Sequence, residues 1–237
     1  KDRQFYAPTV AEAAFRDLGL KEGAPVLASL TAPPDSVGRV RQKLEGQRLE
    51  RRDFDDILED VVRRRYSKVE LSMFVLACSL RRLDVQELID FTHAMIARGN
   101  RLDFGSGPVA DKHCIGGIPG NRTTMVLVPI LASLGVRMPK TSSRAITSPA
   151  GTADTMGVLA EVALGRDRMY EVVERTGGCI AWGGALDLAP ADDILITVER
   201  PMGIDTEAQM IASIVSKKKA AGATHALIDI PIGSTAK

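Results

Sequence analysis

Residues 111–124 read DKHCIGGIPGNRTT, and this stretch decides the fold class of the 237-residue chain. An apparent strand end is followed by three glycines, Gly116, Gly117 and Gly120, and then by a helical pattern that begins near Arg122. A strand that turns through glycines into a helix is the βα unit from which parallel sheets are built. Beyond residue 102, the short apolar runs VLVPILASL, GVRMP and GVLAEVAL alternate with glycine-rich turns in the same way. We therefore expect an α/β domain with a parallel or mixed sheet from here onward.

The segment before this stretch, residues 36–100, has a helical pattern throughout. Apolar residues recur at helical spacing. The sequences SKVE at 67–70 and DVQE at 84–87 place a short polar residue three positions before glutamate, which is the capping box that begins a helix. Gly46 and Gly99 stand where helices are expected to end. The pattern predicts a small all-helical domain whose core-facing residues include Ile57, Val61, Val62, Leu71, Phe74, Val75 and Cys78.

The two ends of the chain read as parts of further structure. Residues 1–30 offer one short helical pattern, a KEG turn and one apolar run suited to a strand, which is too little for a core of their own. The TAPPD stretch interrupts regular structure and predicts a boundary near Thr31. Helical periodicity returns at 207–221, and HALIDIPIG reads as a buried strand. Because an α/β sheet needs more strands, we expect the α/β domain to be incomplete in this sequence.

The amino-acid composition limits the kinds of partner and binding site that we expect for the chain. The chain has 31 Lys and Arg against 30 Asp and Glu, a formal net charge of +1, which gives no electrostatic case for nucleic acid. Cys78, Cys114 and Cys179 lack CxxC spacing and the three histidines do not cluster with them, so we expect no metal site and a reducing cytoplasm. No apolar stretch approaches 20 residues, so neither a membrane span nor a signal peptide is expected.

Residues 111–124 also form the first candidate binding segment. Glycines allow a backbone to approach a ligand closely, and the N-terminus of the following helix carries partial positive charge. Lys112, His113 and Arg122 add basic side chains, and Thr123 and Thr124 add hydroxyl donors. The loop is neither GxxxxGK[ST] nor GxGxxG. We interpret it as an anion-binding loop, with a tight βα turn whose glycines serve geometry alone as the alternative.

A second candidate segment, PKTSSRAITSPAGTADTM at 139–156, places many hydroxyls and two basic residues between a strand and a helix. Beside the first loop, at the carboxyl ends of neighbouring parallel strands, it would complete the crevice in which open α/β sheets bind ligands. A solvated loop rich in serine and threonine is the alternative. The hydroxyl residues are Ser142, Ser143, Thr147, Ser148 and Thr152.

A third candidate segment is the helix EAQMIASIVSKKKAAG at 207–222. Ser213 and Lys217 stand four residues apart and therefore share one face. By itself the signal is weak, because a run such as KKK at 217–219 is usually solvated. Arg200 reads as a surface arginine without further context. The residues expected to face a core are Met210, Ile211, Ile214 and Val215.

Three blocks of the chain resemble the thymidine and pyrimidine-nucleoside phosphorylase family, which also contains the AMP phosphorylases. DKHCIGGIPGN is similar to that family's DKHSxGG phosphate loop, SSRAITSPAGTADTM to its S[GS]R…GTxD signature, and IASIVSKKKAAG to its ASIxSKK helix. The helical region, with VRQKLEGQRL and LSMFVLACSL, is similar as well. The resemblance thus covers nearly all of the chain, with the three blocks in the family's order.

The resemblance implies a domain arrangement. Residues 31–102 and 189–222 would form the helical, base-binding domain. Residues 103–188 and 223–237 would form part of the larger α/β domain that holds phosphate, and residues 1–30 would remain from an N-terminal domain. The resemblance also implies a homodimer and a substantially longer full-length protein.

The same resemblance implies roles for individual residues. Cys114 stands in place of the family's loop serine and is a weaker hydrogen-bond donor. GGIPGN carries one extra residue, so either Thr123 or Thr124 takes the threonine position. Pro149 and Gly157 depart from the signature. The implied phosphate ligands are Lys112, Cys114, Gly116, Gly117, Thr123 or Thr124, Ser142 and Thr152. The implied base contacts are His113, Arg200, Ser213 and Lys217, and the further cleft candidates are Arg122, Ser143 and Arg144.

The implied activity is reversible phosphorolysis, in which inorganic phosphate attacks C1′ of a nucleoside with inversion and the base leaves, with no metal or organic cofactor. GGIPGN, KTSSRAITS and the residues before Thr31 look like the AMP phosphorylase branch. The ending ATHALIDIPIGSTAK favours the longer-chain bacterial (type 2) thymidine phosphorylases, which share those blocks. We therefore expect thymidine as substrate, with AMP phosphorolysis as the alternative. A non-catalytic phosphate- or nucleotide-binding homologue is the competing class, because fold does not imply function.

Overall fold

A computed structural model describes residues 15–16, 18–25, 32–114, 122–142, 144, 151–204 and 206–234. Contacts divide the chain into two compact units, Lys1–Pro33 and Pro34–Lys237. In the first unit the predicted KEG turn is present, since the Ala24 amide donates to the Lys21 carbonyl at 3.0 Å. The predicted apolar strand after it falls mostly outside the described residues.

Four helices occupy the first part of the second unit: α1 (Ser36–Leu44), α2 (Arg51–Val62), α3 (Lys68–Leu80) and α4 (Val85–Ala97). The two predicted capping boxes are confirmed, with Ser67 and Glu70 opening α3 and Asp84 and Glu87 opening α4. Gly46 follows α1 at φ +92°, a conformation that glycine adopts without strain. These local signals set the helix boundaries as the sequence predicts.

Two later helices, α8 (Pro190–Met202) and α9 (Glu207–Ala220), share a core with α1–α4. Phe54, Phe74 and Phe91 are 0% exposed at the centre of that core. The predicted inward face of α9 is wrong in part, because Val215 is 43% exposed. The small residues Ala212 and Ser216 are buried instead, which allows α9 to pack closely on α4.

The rest of the second unit alternates strands and helices in chain order: β1 (Ala110–Cys114), α5 (Thr123–Ser133), β2 (Met138–Ser142), α6 (Thr152–Met156), α7 (Arg166–Thr176), β3 (Gly178–Trp182) and, after α8 and α9, β4 (His225–Asp229). β1 pairs with β4 and β2 with β3, both in parallel, and a parallel bridge between Val109 and Arg137 joins the two pairs. The predicted combination of a small helical part with a parallel α/β part is therefore confirmed. The run VLVPILASL is mostly α5, and GVLAEVAL forms neither a helix nor a strand.

The prediction of a buried final strand is wrong in one respect. The strand β4 exists and pairs with β1, but Leu227 is 63% exposed and Ile228 is 40% exposed. Among the described residues β4 pairs with β1 alone, and its side chains are mostly exposed.

The helical and α/β parts meet closely at Gly99. A Cβ atom at Gly99 would lie 1.9 Å from the Leu188 carbonyl oxygen, so only glycine fits this approach. A second core behind β3 joins α7 to the end of α9 through Met169 and Ala220. Because these contacts tie residues 34–237 into one unit, the finer division into two domains stays a prediction. Within the described ranges, no helix has the length and apolar character needed to cross a membrane.

Candidate active site

The predicted phosphate-binding residues lie where strands end and helices begin. Lys112 and Cys114 belong to the last three residues of β1, and Ser142 is the last residue of β2. Thr124 is 8% exposed in the first turn of α5, and Thr152 is the first residue of α6. Carboxyl ends of parallel strands share one edge of a sheet, which is where α/β proteins bind ligands. Thr123 and Arg122 are more exposed, and Gly116, Gly117 and Ser143 lie outside the described residues.

Lys112 is held by a carboxylate from the neighbouring strand. Its ammonium lies 2.7 Å from Asp229 Oδ2, and its side chain is only 5% exposed. Hydrogen bonding from Lys112 is the main reason that the pKa of Asp229 is lowered, and the side chain of Cys114 also hydrogen-bonds Asp229. Asp229 therefore orients both β1 side chains at the sheet edge.

A buried ionic cluster links β1, β2 and α9. The carboxylate of Asp111 lies 3.4 Å from the Lys140 ammonium and 2.9 Å from the Lys218 ammonium. All three residues are at most 6% exposed. Both ammonium groups also donate to the carbonyl of Thr141, which is buried as well. We call these three residues, Asp111, Lys140 and Lys218, the buried cluster.

The buried cluster perturbs protonation at the sheet edge. Burial, followed by the charge of Lys218, lowers the pKa of Lys140 to about 7, although Asp111 acts in the opposite direction. Burial also lowers the pKa of His113 to about 4, helped by the charges of Lys218 and Lys140. His113 is therefore neutral near pH 7 and can donate or accept a hydrogen bond through its imidazole.

Lys217, the predicted base contact on α9, is paired with a carboxylate from α8. Its ammonium lies 2.5 Å from Asp192 Oδ2, and the Asp192 side chain is 6% exposed. Lys217 also acts electrostatically on His113, where its charge adds a smaller lowering of the pKa. The structure thus brings the ends of β1 and α9 near one another. Ser213 lies one turn before Lys217, and its carbonyl accepts from Ser216 Oγ at 3.2 Å.

Two predicted arginines have other surroundings. Arg200 is exposed in the last turn of α8, about 12 Å along the helix axis from Asp192 at 1.5 Å per residue. The structure therefore does not bring Arg200 to Lys217 through any described contact. Arg144 lies over the indole ring of Trp182, with its guanidinium carbon 4.6 Å from the ring centroid. That cation–π contact places Arg144 at the carboxyl end of β3.

Several charged residues of this region were absent from the predicted site: Asp111, Lys140, Lys218, Asp192 and Asp229. The prediction of a solvated run at residues 217–219 is wrong for Lys218, which is 6% exposed, because α9 turns it toward Asp111. The signal available was helical spacing, since Lys218 stands four residues after the buried Ile214. In the described part of the chain, no group of three or more His, Cys, Asp or Glu residues could hold a metal ion.

Comparison with known proteins agrees with this architecture. Residues 40–99 match the helical bundle domain of the glycosyl transferase family, and residues 106–235 match the a/b domain of that family. A crystal structure of anthranilate phosphoribosyltransferase (TrpD) from Thermus thermophilus superposes with a TM-score of 0.68 at 22% identity. That match covers 81% of this chain and 57% of the other, and it shows a shared fold.

Curated relatives are more similar in sequence. A protein of Polaromonas sp. (strain JS666) named "Putative thymidine phosphorylase" is 57% identical over 98% of this chain and 46% of its own length. A protein of Acidovorax sp. (strain JS42) named in the same way is 55% identical over 96% of this chain and 44% of its own length. The chain thus spans about half the length of these relatives. With its a/b match alone covering more than half of its residues, the chain belongs to the glycosyl transferase family, in the thymidine phosphorylase group.

Proposed function

We propose that the complete protein catalyses the reversible phosphorolysis of thymidine to thymine and 2-deoxyribose 1-phosphate. The observation that carries the proposal is that a β1 side chain and an α9 side chain are close enough to interact electrostatically. His113, at the end of β1, follows the predicted phosphate ligand Lys112. The charge of Lys217 on α9 contributes to the lowered pKa of His113. A sheet edge suited to an anion thus adjoins a helix suited to the leaving base. The names of the curated relatives support the same activity.

The chemistry assigned to the sheet edge is positioning of the nucleophile. Lys112 and the hydroxyls of Thr124, Ser142 and Thr152 would hold inorganic phosphate in line with C1′, so that little motion is needed for attack. Lys112 is buried with its ammonium fixed by Asp229, which reduces the cost of ordering the lysine side chain when phosphate binds. No organic cofactor takes part in the proposed reaction, and phosphate is the co-substrate.

The chemistry assigned to α9 is stabilisation of the leaving base. As the glycosidic bond breaks, negative charge develops on the pyrimidine and its carbonyl oxygens. The ammonium of Lys217 and the neutral imidazole of His113 would donate hydrogen bonds to them, and Ser213 and Arg200 are the further predicted base contacts. His113 donates as an uncharged group because its pKa is about 4. Such donors favour the transition state over the bound nucleoside.

A phosphorolysis assay tests this proposal. The complete protein is incubated with inorganic phosphate and thymidine, uridine or AMP, and release of each base is followed. Release of thymine from thymidine at the highest rate supports the proposal. Release of adenine from AMP without thymine release would instead assign the alternative AMP phosphorylase reaction. Phosphate binding without release of any base would indicate a binding protein.

We also propose that the protein is a cytoplasmic homodimer. Cys78, Cys114 and Cys179 form no disulfide in the described part of the chain, as expected of a reducing compartment. Apolar side chains on α3 line an open groove, and Val69 and Leu80 there are 78% and 70% exposed. An exposed apolar stripe of this kind is typical of a protein interface. Sedimentation of a Met73→Glu variant, changed within the groove, should show monomers where the wild type shows dimers.

A further inference from the structure

The buried cluster carries unbalanced charge. Two ammonium groups, those of Lys140 and Lys218, surround the single carboxylate of Asp111. Oδ1 of Asp111 also accepts the backbone amide of Lys112 at 2.7 Å, a hydrogen bond that adds no negative charge. When both lysines are protonated the buried cluster has a net charge of about +1. A buried charge of this kind is costly unless an anion balances it or the group releases its proton.

The position of the buried cluster connects it to the proposed phosphate site. Asp111 directly precedes Lys112 on β1, and Lys140 stands two residues before Ser142 on β2. Lys218 directly follows Lys217 on α9. Each member is thus next to, or two residues from, a residue expected to hold phosphate or base. A dianion at the sheet edge would experience the buried positive charge in a region of low dielectric, where the attraction is strong.

We propose that Lys140 is a further anion-binding residue, held against Lys218 by Asp111. Lys140 takes up a proton when the phosphate dianion binds. This proposal rests on the proposed function. Without the dianion, the second ammonium is poorly balanced and is easily deprotonated. With the dianion present, protonated Lys140 gains a partner of opposite charge. The protein would thus bind phosphate and a proton together.

The protonation states around Lys140 support this coupling. The pKa of Lys140 is lowered to about 7, so it is partly neutral at neutral pH. The neighbouring groups do not titrate in the same window: His113 has a pKa of about 4, and the Cys179 thiol on β3 has a pKa of about 12 because of burial. α5 carries no charged residue, and Arg168 and Arg175 of α7 form surface pairs with Glu171. The charged groups facing Lys140 are Asp111 from β1 and Lys218 from α9, with Lys217 further along the same helix.

Sulfate is the appropriate probe because it is a dianion that does not titrate near neutral pH, whereas inorganic phosphate does. Calorimetric titration of the complete protein with sulfate at pH 7.5, in two buffers of different ionisation enthalpy, measures the protons taken up. We expect uptake of about three quarters of a proton, the fraction by which a group of pKa about 7 is deprotonated at that pH. For the same reason, the Kd for sulfate should increase about tenfold between pH 6 and pH 8, which means that binding becomes weaker.

Two variants assign the proton. Lys140→Met should bind sulfate without proton uptake and with a pH-independent Kd, and Lys140→Arg should bind it with no pH dependence while keeping the positive charge. Lys219→Met changes an exposed lysine of α9 in the same way and should behave like the wild type. If Lys140→Met does not fold, Lys140→Arg still decides the source of the proton.

The outcomes separate this inference from the proposed function. Sulfate binding without proton uptake in the wild type would overturn the role of Lys140 while leaving phosphorolysis possible. Proton uptake that persists in Lys140→Arg would also overturn it. A protein that binds neither sulfate nor inorganic phosphate would contradict both proposals.

Discussion

The ammonium of Lys217 lies 2.5 Å from the carboxylate of Asp192, which is the third residue of helix α8 and is almost fully buried. This pair joins α9, which carries two of the proposed base contacts, to a neighbouring helix of the same core. The attraction of the carboxylate keeps the lysine ammonium beside Asp192 and so limits the positions from which it can approach a ligand. Asp192 is therefore a positioning residue for Lys217.

We predict that Asp192→Asn lowers kcat/KM for thymidine phosphorolysis by about 100-fold, because a misplaced donor loses much of its effect on the transition state. Steady-state kinetics measures the loss, which should fall mainly on kcat. Asp56→Asn changes an exposed carboxylate of α2 and is the matched control, expected to alter kcat/KM by less than about threefold. Equal losses in the two variants would contradict the positioning role.

The ion pair between Lys43 and Glu87 should contribute strongly to stability. The two side chains are 4% and 3% exposed, and the Lys43 ammonium lies 2.6 Å from Glu87 Oε1. Lys43→Met therefore leaves a buried carboxylate without its cation. We expect a loss of about 3–5 kcal/mol in the free energy of unfolding, measured by urea denaturation. Arg63→Met breaks the exposed pair with Glu59 and should cost less than about 1 kcal/mol. Similar losses for the two variants would show that Glu87 is otherwise compensated.

Gly99→Ala should destabilise the fold by about 1–3 kcal/mol or more, because the added methyl group meets the Leu188 carbonyl oxygen and the backbone must shift. Gly38 lies inside α1 with open space around it, so Gly38→Ala should be neutral or stabilising by up to about 1 kcal/mol. Thermal unfolding of the two variants gives the comparison. A stable Gly99→Ala protein would mean that the helical and α/β parts meet less closely than the structure shows.

His113 should make stability depend on pH. Its folded pKa of about 4 lies below the ordinary value of 6.5, so the unfolded chain binds the proton more readily. The stability associated with neutral His113 is fully present above pH 6.5. It is lost as the pH falls toward 4, because only the unfolded chain takes up a proton in that range. The wild type should lose up to about 3 kcal/mol over that window, and His113→Gln should lose less. Urea unfolding at several pH values tests this, with the exposed His93→Gln variant expected to follow the wild type.

Local chemistry explains which parts of the fold the sequence predicts. The starts of α3 and α4 depend on Ser67 and Asp84 and on a glutamate three residues later, so a short window of sequence contains the whole signal. The exposure of Leu227 depends instead on what covers β4, which no local pattern encodes. The inward face of α9 was predicted from its large apolar residues, whereas close packing on α4 selects Ala212 and Ser216.

The same distinction applies to the site. Lys112, Thr124, Ser142 and Thr152 stand at strand ends and helix starts, and their positions follow from the order of elements. The roles of these residues remain predictions. Lys218 could not be assigned, because its environment is set by Asp111, which is distant in the chain and reaches it only through the tertiary fold. A run of three lysines does not by itself show which of them is buried, and the spacing of Lys218 four residues after Ile214 is the one local signal.

Neighbouring lysines of α9 form ion pairs with different parts of the molecule, Lys217 with Asp192 and Lys218 with Asp111. Consecutive residues of a helix point about 100° apart, so these two pairs together fix the rotation of α9 about its axis. The helix cannot roll about its axis without breaking one pair. The pair at the buried cluster therefore also helps to set the direction in which Lys217 leaves the helix.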